Sequence, residues 1–251
     1  MRNNITITVG YITDNIVKTK FNTVGFSFTA VDGKGFQLND LTGPGLHGAE
    51  MTADADQIQI WDPNTGTYEM WYYYVCESDH SDDGWWDLLY QSDRFEDVHP
   101  DGLPNGSSVW LLSAKESSGG AVSNSGAVDP AKSVTLTLTK GKFNMFANPF
   151  PVGLQLNNAD QVSWENANGA EMPSQADQIQ IWDPTTGTYE MWYYYVYADD
   201  HSDDGWWDLL YQSDRFETIH PNGLPAGVPV WYLSNDKSTG TFDVTFKTPM
   251  K

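Results

Sequence analysis

The sequence is poor in cysteine, poor in positive charge and without a long apolar run. Its one cysteine, Cys76, cannot form an intramolecular disulfide, so no covalent staple holds the fold. Only 13 Lys and Arg stand against 34 Asp and Glu, a formal net charge of −21. That balance repels phosphate, excludes ordinary nucleic-acid binding and argues against docking on anionic lipid. No apolar stretch approaches the ~18 residues of a membrane-crossing helix, so membrane insertion is not expected. The opening MRNNITITVG lacks the apolar centre of a signal peptide, and the expectation is a mature chain that works outside the cell or on its surface.

Aromatics are abundant, with 11 Trp and 13 Tyr, and side chains of that kind favour strands. The chain also repeats itself. Residues 55–113 align without a gap to 176–234 and differ at 11 of 59 positions; the 18 residues DHSDDGWWDLLYQSDRFE occur at 79–96 and again at 200–217. Upstream of these blocks the copies drift apart. The implied modules are 1–128 and 129–251, with AKESSGGAVSNSGAVDPAK between them read as loops around a weak strand.

Within each module the signals are β. ITITVGY, SVTLTLT and QIQIW alternate apolar or β-branched with polar residues, the period of a half-buried strand. WDPNTGTY reads as a hairpin: Asp62 opens the turn, Pro63 presets φ, and Gly66 supplies the positive φ that closes it. The one helix candidate is WWDLLYQSDRF, where Leu88, Leu89 and Phe95 fall on one side. The fold class expected is all-β, as two tandem β-sandwich or barrel-like modules related by duplication.

KFNMFANPFPVGLQLN (142–157), IQIWDPTTGTYEMWYYY and LPAGVPVWYLS (224–234) together resemble a repeat module of secreted bacterial proteins. In outline that module has an Asn-Pro-(Phe/Tyr)-Pro element, an Ile-x-x-Trp-Asp-Pro-x-Thr-Gly-x-Tyr hairpin and a Pro-x-Gly-x-x-(Phe/Trp) strand. The resemblance implies a secreted, all-β, non-catalytic unit and supplies no ligand. The first module departs from it, with VGFSFTAV where the second has the Asn-Pro-Phe-Pro element.

Two constellations could carry chemistry. Asp79, Ser81, Asp83, Gly84 and Asp87 stand at positions 1, 3, 5, 6 and 9 of a calcium-loop pattern, as do Asp200, Ser202, Asp204, Gly205 and Asp208. Position 12 holds Tyr90 rather than a bidentate Glu, and no helices flank the loop. The pattern therefore supports at most a weak β-loop calcium site, completed by carboxylates such as Glu77 or Asp93; the plain alternative is an Asp-rich turn. The second constellation is aromatic: Trp71, Tyr73, Trp85 and Trp86, repeated as Trp192, Tyr194, Trp206 and Trp207. Strand alternation puts Trp71 and Tyr73 on one face and Tyr72 and Tyr74 on the other. The ring set is open to three readings: packing within the module, an interface with other proteins, or stacking on glycans.

Catalysis finds no support: HExxH, phosphate-loop and G-x-S-x-G patterns are absent, and adjacent His80 and Ser81 point apart. Strand-like ends, ITITVGY and DVTFKT, open the possibility of head-to-tail filaments by strand pairing. The expected function is a non-catalytic structural or adhesive protein of the cell surface or extracellular matrix, partnered by its own copies or other surface proteins. The alternative is a calcium-dependent carbohydrate-binding protein using the duplicated loops.

Overall fold

The computed structural model describes residues 8–115, 117–128 and 133–249. The fold is all-β, and no sheet crosses from one half of the chain to the other among these residues. In the first half, β1 (Val9–Ile16) pairs antiparallel with β7 (Gly120–Ala127). It faces a five-stranded sheet of β2 (Phe21–Gly25), β6 (Ser108–Leu112), β3 (Gln57–Asp62), β4 (Thr67–Tyr74) and β5 (Gly84–Asp87), in that spatial order. In the second half, β8 (Ser133–Thr139), β15 (Thr241–Lys247) and the short β10 (Val162–Ser163) form the small sheet. The large one is β9 (Phe143–Ala147), β14 (Pro229–Leu233), β11 (Gln178–Asp183), β12 (Thr188–Tyr195) and β13 (Gly205–Asp208). Each half is a sandwich, closed by inward side chains of both its sheets: Ile16 and Val122 against Ile58, Trp71, Trp85 and Leu111 in the first, Leu138, Val244 and Phe246 against Ile179, Trp192, Trp206 and Tyr232 in the second.

The hairpins form as the turn chemistry predicts. Asp62 accepts from the Asn64 N–H at 2.9 Å and the Thr65 hydroxyl at 2.9 Å, and Gly66 closes the turn at φ 69°. The helix candidate does not form. Trp85, Trp86 and Asp87 belong to β5, and among the described residues only Phe95–Val98 (α1) and its repeat Phe216–Ile219 (α2) are α-helical. The cause is local: the Asp87 carboxylate takes the N–H groups of Leu89 and Tyr90, and such side-chain bonds divert donors that a helix would need. The segment read as a linker also differs. Its small residues form the full strand β7, with Val122 and Asn124 buried. The terminal strands pair inside their own halves, β1 with β7 and β15 with β8 and β10. The first part of ITITVGY lies outside the described residues.

The two sandwiches meet through the outer faces of their large sheets, and they do so reciprocally. The Trp61 indole N–H donates to the Phe143 carbonyl at 2.7 Å, and the Trp182 indole N–H donates to the Phe21 carbonyl at 2.9 Å. Trp61 lies edge-on to Trp231 at 5.4 Å, as Trp182 lies against Trp110 at 5.7 Å. Each such pair adds about 0.5–1.5 kcal/mol beyond the area it buries. Main chains also touch: the Ala147 N–H donates to the Gly106 carbonyl at 2.7 Å, and Ser27 bridges the Asn148 carbonyl and the Gly227 N–H.

Gly25 sits at this seam, and a Cβ there would collide with the Ala147 methyl and the Gly227 carbonyl. Gly25→Ala should therefore destabilise the chain by about 1–3 kcal/mol, read as a lowered urea midpoint. A second prediction concerns β1. Asp14 is half-buried, with its carboxylate oxygen Oδ2 enclosed and unpartnered, and this desolvation pushes its pKa from 3.8 to about 6. The folded chain thus holds this proton more tightly than the unfolded chain, so this group's contribution to stability falls as pH rises through roughly 4 to 6. Asp14→Asn should be more stable than the parent above pH 6, by up to about 2–3 kcal/mol, and the difference should vanish near pH 4. Melting curves of both proteins across that range measure it.

Candidate functional site

The duplicated acidic stretch begins where β4 ends and turns back into β5. Asp79 caps a 3-10 turn, His80–Asp82, by accepting the Ser81 N–H at 3.0 Å, and that bond lowers its pKa. Asp83 accepts the Cys76 N–H at 3.0 Å through one oxygen and meets His80 Nδ1 at 2.9 Å through the other. Asp87 is committed to Leu89 and Tyr90, at 3.2 and 2.7 Å. Asp82, which the calcium pattern leaves out, pairs with Arg94 at 3.0 Å. The Arg94 guanidinium lies over the Trp86 ring at 5.0 Å, a favourable placement for a cation.

The second copy repeats the arrangement. Asp200 accepts the Ser202 N–H at 3.0 Å, which lowers its pKa. Asp204 meets His201 at 2.9 Å and the Tyr197 N–H at 3.3 Å, and Asp208 accepts the Tyr211 N–H. Arg215 covers Trp207 at 5.7 Å.

These bonds decide what the stretch can hold. A calcium ion needs six to eight converging oxygens. Here Asp79, Asp83 and Asp87 each face backbone N–H groups at separate points of the turn. Among the described residues no group of three or more His, Cys, Asp or Glu converges to hold a metal. In this geometry the aspartates stitch the turn rather than point to a common centre.

The aromatic set divides. Trp71, Trp85, Trp192 and Trp206 are core residues, none more than 1% exposed, and offer no face to a ligand. Tyr73 and Tyr194 lie beside them, 5.2 and 5.3 Å from Trp85 and Trp206. Trp86 and Trp207 point to the opposite face and remain half-buried, edge-on to Tyr74 and Tyr195.

What the loop presents to solvent is different: Leu89 is 65% exposed and Tyr90 81%, and their repeats Leu210 and Tyr211 are 64% and 81%. The turn beneath them is firm. Gln91 and Gln212 adopt φ 54° and 53°, left-handed values uncommon outside glycine, and each N–H donates to the carbonyl of the turn's Asp. Sequence reasoning treated Leu89 as helix packing and missed the tip. The signal available was the Asp87-x-x-Tyr90 spacing of an Asp-stitched turn. Sequence reasoning also passed over His99 and His220, each of which precedes a proline. In the structure they bond Glu69 and Glu190 at 2.7 and 2.6 Å and stack on Phe95 and Phe216.

No protein-family model and no curated protein matches the chain.

Asp83→Asn should lower the melting temperature by the loss of one charge-assisted bond, about 1–2 kcal/mol. The loss should be equal in EDTA and in millimolar calcium, by scanning calorimetry. A loss seen only when calcium is present would assign the carboxylate to the metal instead.

Proposed function

We propose that this chain is a secreted, non-catalytic structural or adhesive protein of the cell surface or extracellular matrix, binding further copies of itself. One observation carries the reading. The same Leu-Tyr tip is exposed twice, at Leu89-Tyr90 and Leu210-Tyr211, on turns stiffened by their own aspartates. Large exposed apolar side chains on a firm turn are costly in water and suit contact with a partner. Two equal contacts on one chain let each molecule bridge two others, and avidity then multiplies a weak contact. The net charge of −21 opposes this association at low salt.

Strand exchange through the chain ends has less support, because β1 and β15 are already paired within their own modules. The calcium-dependent carbohydrate alternative has less still, since the loop carboxylates are occupied by backbone donors and arginine.

Sedimentation velocity and negative-stain microscopy test the proposal. The parent chain should form concentration-dependent oligomers that strengthen from about 0.01 to 0.15 M salt as charge is screened. Serine at positions 89, 90, 210 and 211 together should leave a folded monomer. A parent chain that stays monomeric across both salt conditions, or oligomers that survive these substitutions, would overturn it.

A further inference from the structure

Beside the β1–β7 pair of the first sandwich lies an open cleft of about 720 Å³. Its walls include Val9 and Tyr11 of β1 and, from the loops after β2, Val31, Asn39, Asp40 and Thr42. Val9, Tyr11 and Val31 are 66, 75 and 62% exposed. Three large apolar side chains around one opening are the mark of an interaction surface. Among the described residues, Asp40 is the one charged residue of the lining. Desolvation raises its pKa, and the nearby Asp32 charge raises it further. The second module is built differently at this place. Tyr11 and Ser125 are cross-strand partners in the first module, and Ser133 and Lys247 hold those positions in the second. The cleft there, of about 370 Å³, carries Glu165, Asp204 and Lys247. The apolar-rimmed cleft thus belongs to the first module alone, whereas the Leu-Tyr tip belongs to both.

We propose that this cleft receives the Leu-Tyr tip of a second copy of the chain. The inference rests on the self-association reading and names the surface that the tip meets. Charge favours this occupant. The chain carries −21, so acidic surface of a second copy is repelled by Asp40. Residues 88–92, and 209–213 in the repeat, carry no charge, and Asp87 and Asp208 beneath them face the tips' own N–H groups. Leu89 and the Tyr90 ring cover the apolar rim, and the Tyr90 hydroxyl donates to the Asp40 carboxylate, a charge-assisted bond. Clefts that hold a drug-sized molecule measure roughly 300–1,000 Å³, and a Leu-Tyr pair is of that size. The first tip cannot serve its own cleft. Asn39 of the cleft accepts the Trp85 N–H at the start of β5, while the tip follows the end of that strand. Tip and cleft are different surfaces, so the contact does not close on a two-fold axis and propagates from chain to chain. Two side chains bury far less than the ~1,200 Å² of a standard interface. A single contact is therefore weak, and the doubled tip adds avidity.

Sedimentation velocity of the full chain at about 0.15 M salt tests the pairing. Tyr11→Ser and Val31→Ser alter exposed side chains, and each should weaken association about tenfold. Together they should leave a folded monomer, as should Leu89→Ser, Tyr90→Ser, Leu210→Ser and Tyr211→Ser combined. The two variants complement each other, because the first keeps both tips and the second keeps its cleft. Mixed, they should associate again, one cleft variant holding up to two tip variants and nothing longer. If Tyr11→Ser disturbs β1, Val31→Ser still decides. A cleft variant that oligomerises like the parent, or a mixture that stays monomeric, overturns the proposal and leaves the self-association reading in place. A parent chain that is itself monomeric overturns both.

Discussion

Each module gives an indole N–H to a backbone carbonyl of the other, Trp61 to Phe143 and Trp182 to Phe21, and the arrangement of the chain depends on that exchange. An indole N–H has one direction, so the bond fixes orientation as well as distance. Around it the remaining rings take edge-on positions, and the main chains come close enough to bond directly. A sandwich needs only one face of its large sheet for its own core. Here the second face, rich in tryptophan, is covered by the neighbouring module. The aromatic abundance thus serves two cores and one seam.

The copies are not equivalent beneath this symmetry. Leu111 of the first module corresponds to Tyr232 of the second, whose hydroxyl donates to buried Asp177. Asp177 also accepts backbone N–H groups of Asn168 and Asn235, where Asp56 has only those of His47 and Ala114. Burial raises the pKa of both aspartates, and the phenol offsets part of that desolvation in the second module. Asn148, of the Asn-Pro-Phe-Pro element, is wholly buried and bonds the Val152 and Leu224 carbonyls and the Phe150 N–H. Phe26 occupies the corresponding site in the first module, as the parallel registers of β2 and β9 indicate, and stacks on Phe36 instead. A polar clamp and a ring pair solve the same corner.

Much of the fold was legible because its determinants are local. Alternation in QIQIW and in TYEMWYYY places Ile58, Trp71 and Tyr73 inward without reference to anything distant. The Asp-Pro-x-Thr-Gly turn declares its own geometry. The candidate site was harder to read, because its meaning is decided by hydrogen-bond partners. The same aspartates that match a calcium pattern equally match a self-stitched turn, and spacing alone does not distinguish them. Trp61, Trp110, Trp182 and Trp231 were missed as a group for another reason: they lie on the outward face of their strands, where only a second domain gives them a role. β7 was under-read because Gly, Ser and Ala carry little pattern, although pairing with β1 makes the strand.

The reciprocity of the seam gives the chain an internal symmetry. Each module carries both halves of the contact, the donating indole and the accepting carbonyl, so a lone module is complementary to its own copy. Such a surface closes around a two-fold axis. The two halves of this chain face each other as the subunits of a symmetric dimer would. The symmetry tolerates differences between them: Ser27 stands where the second module has Pro149, and both indole–carbonyl bonds are made.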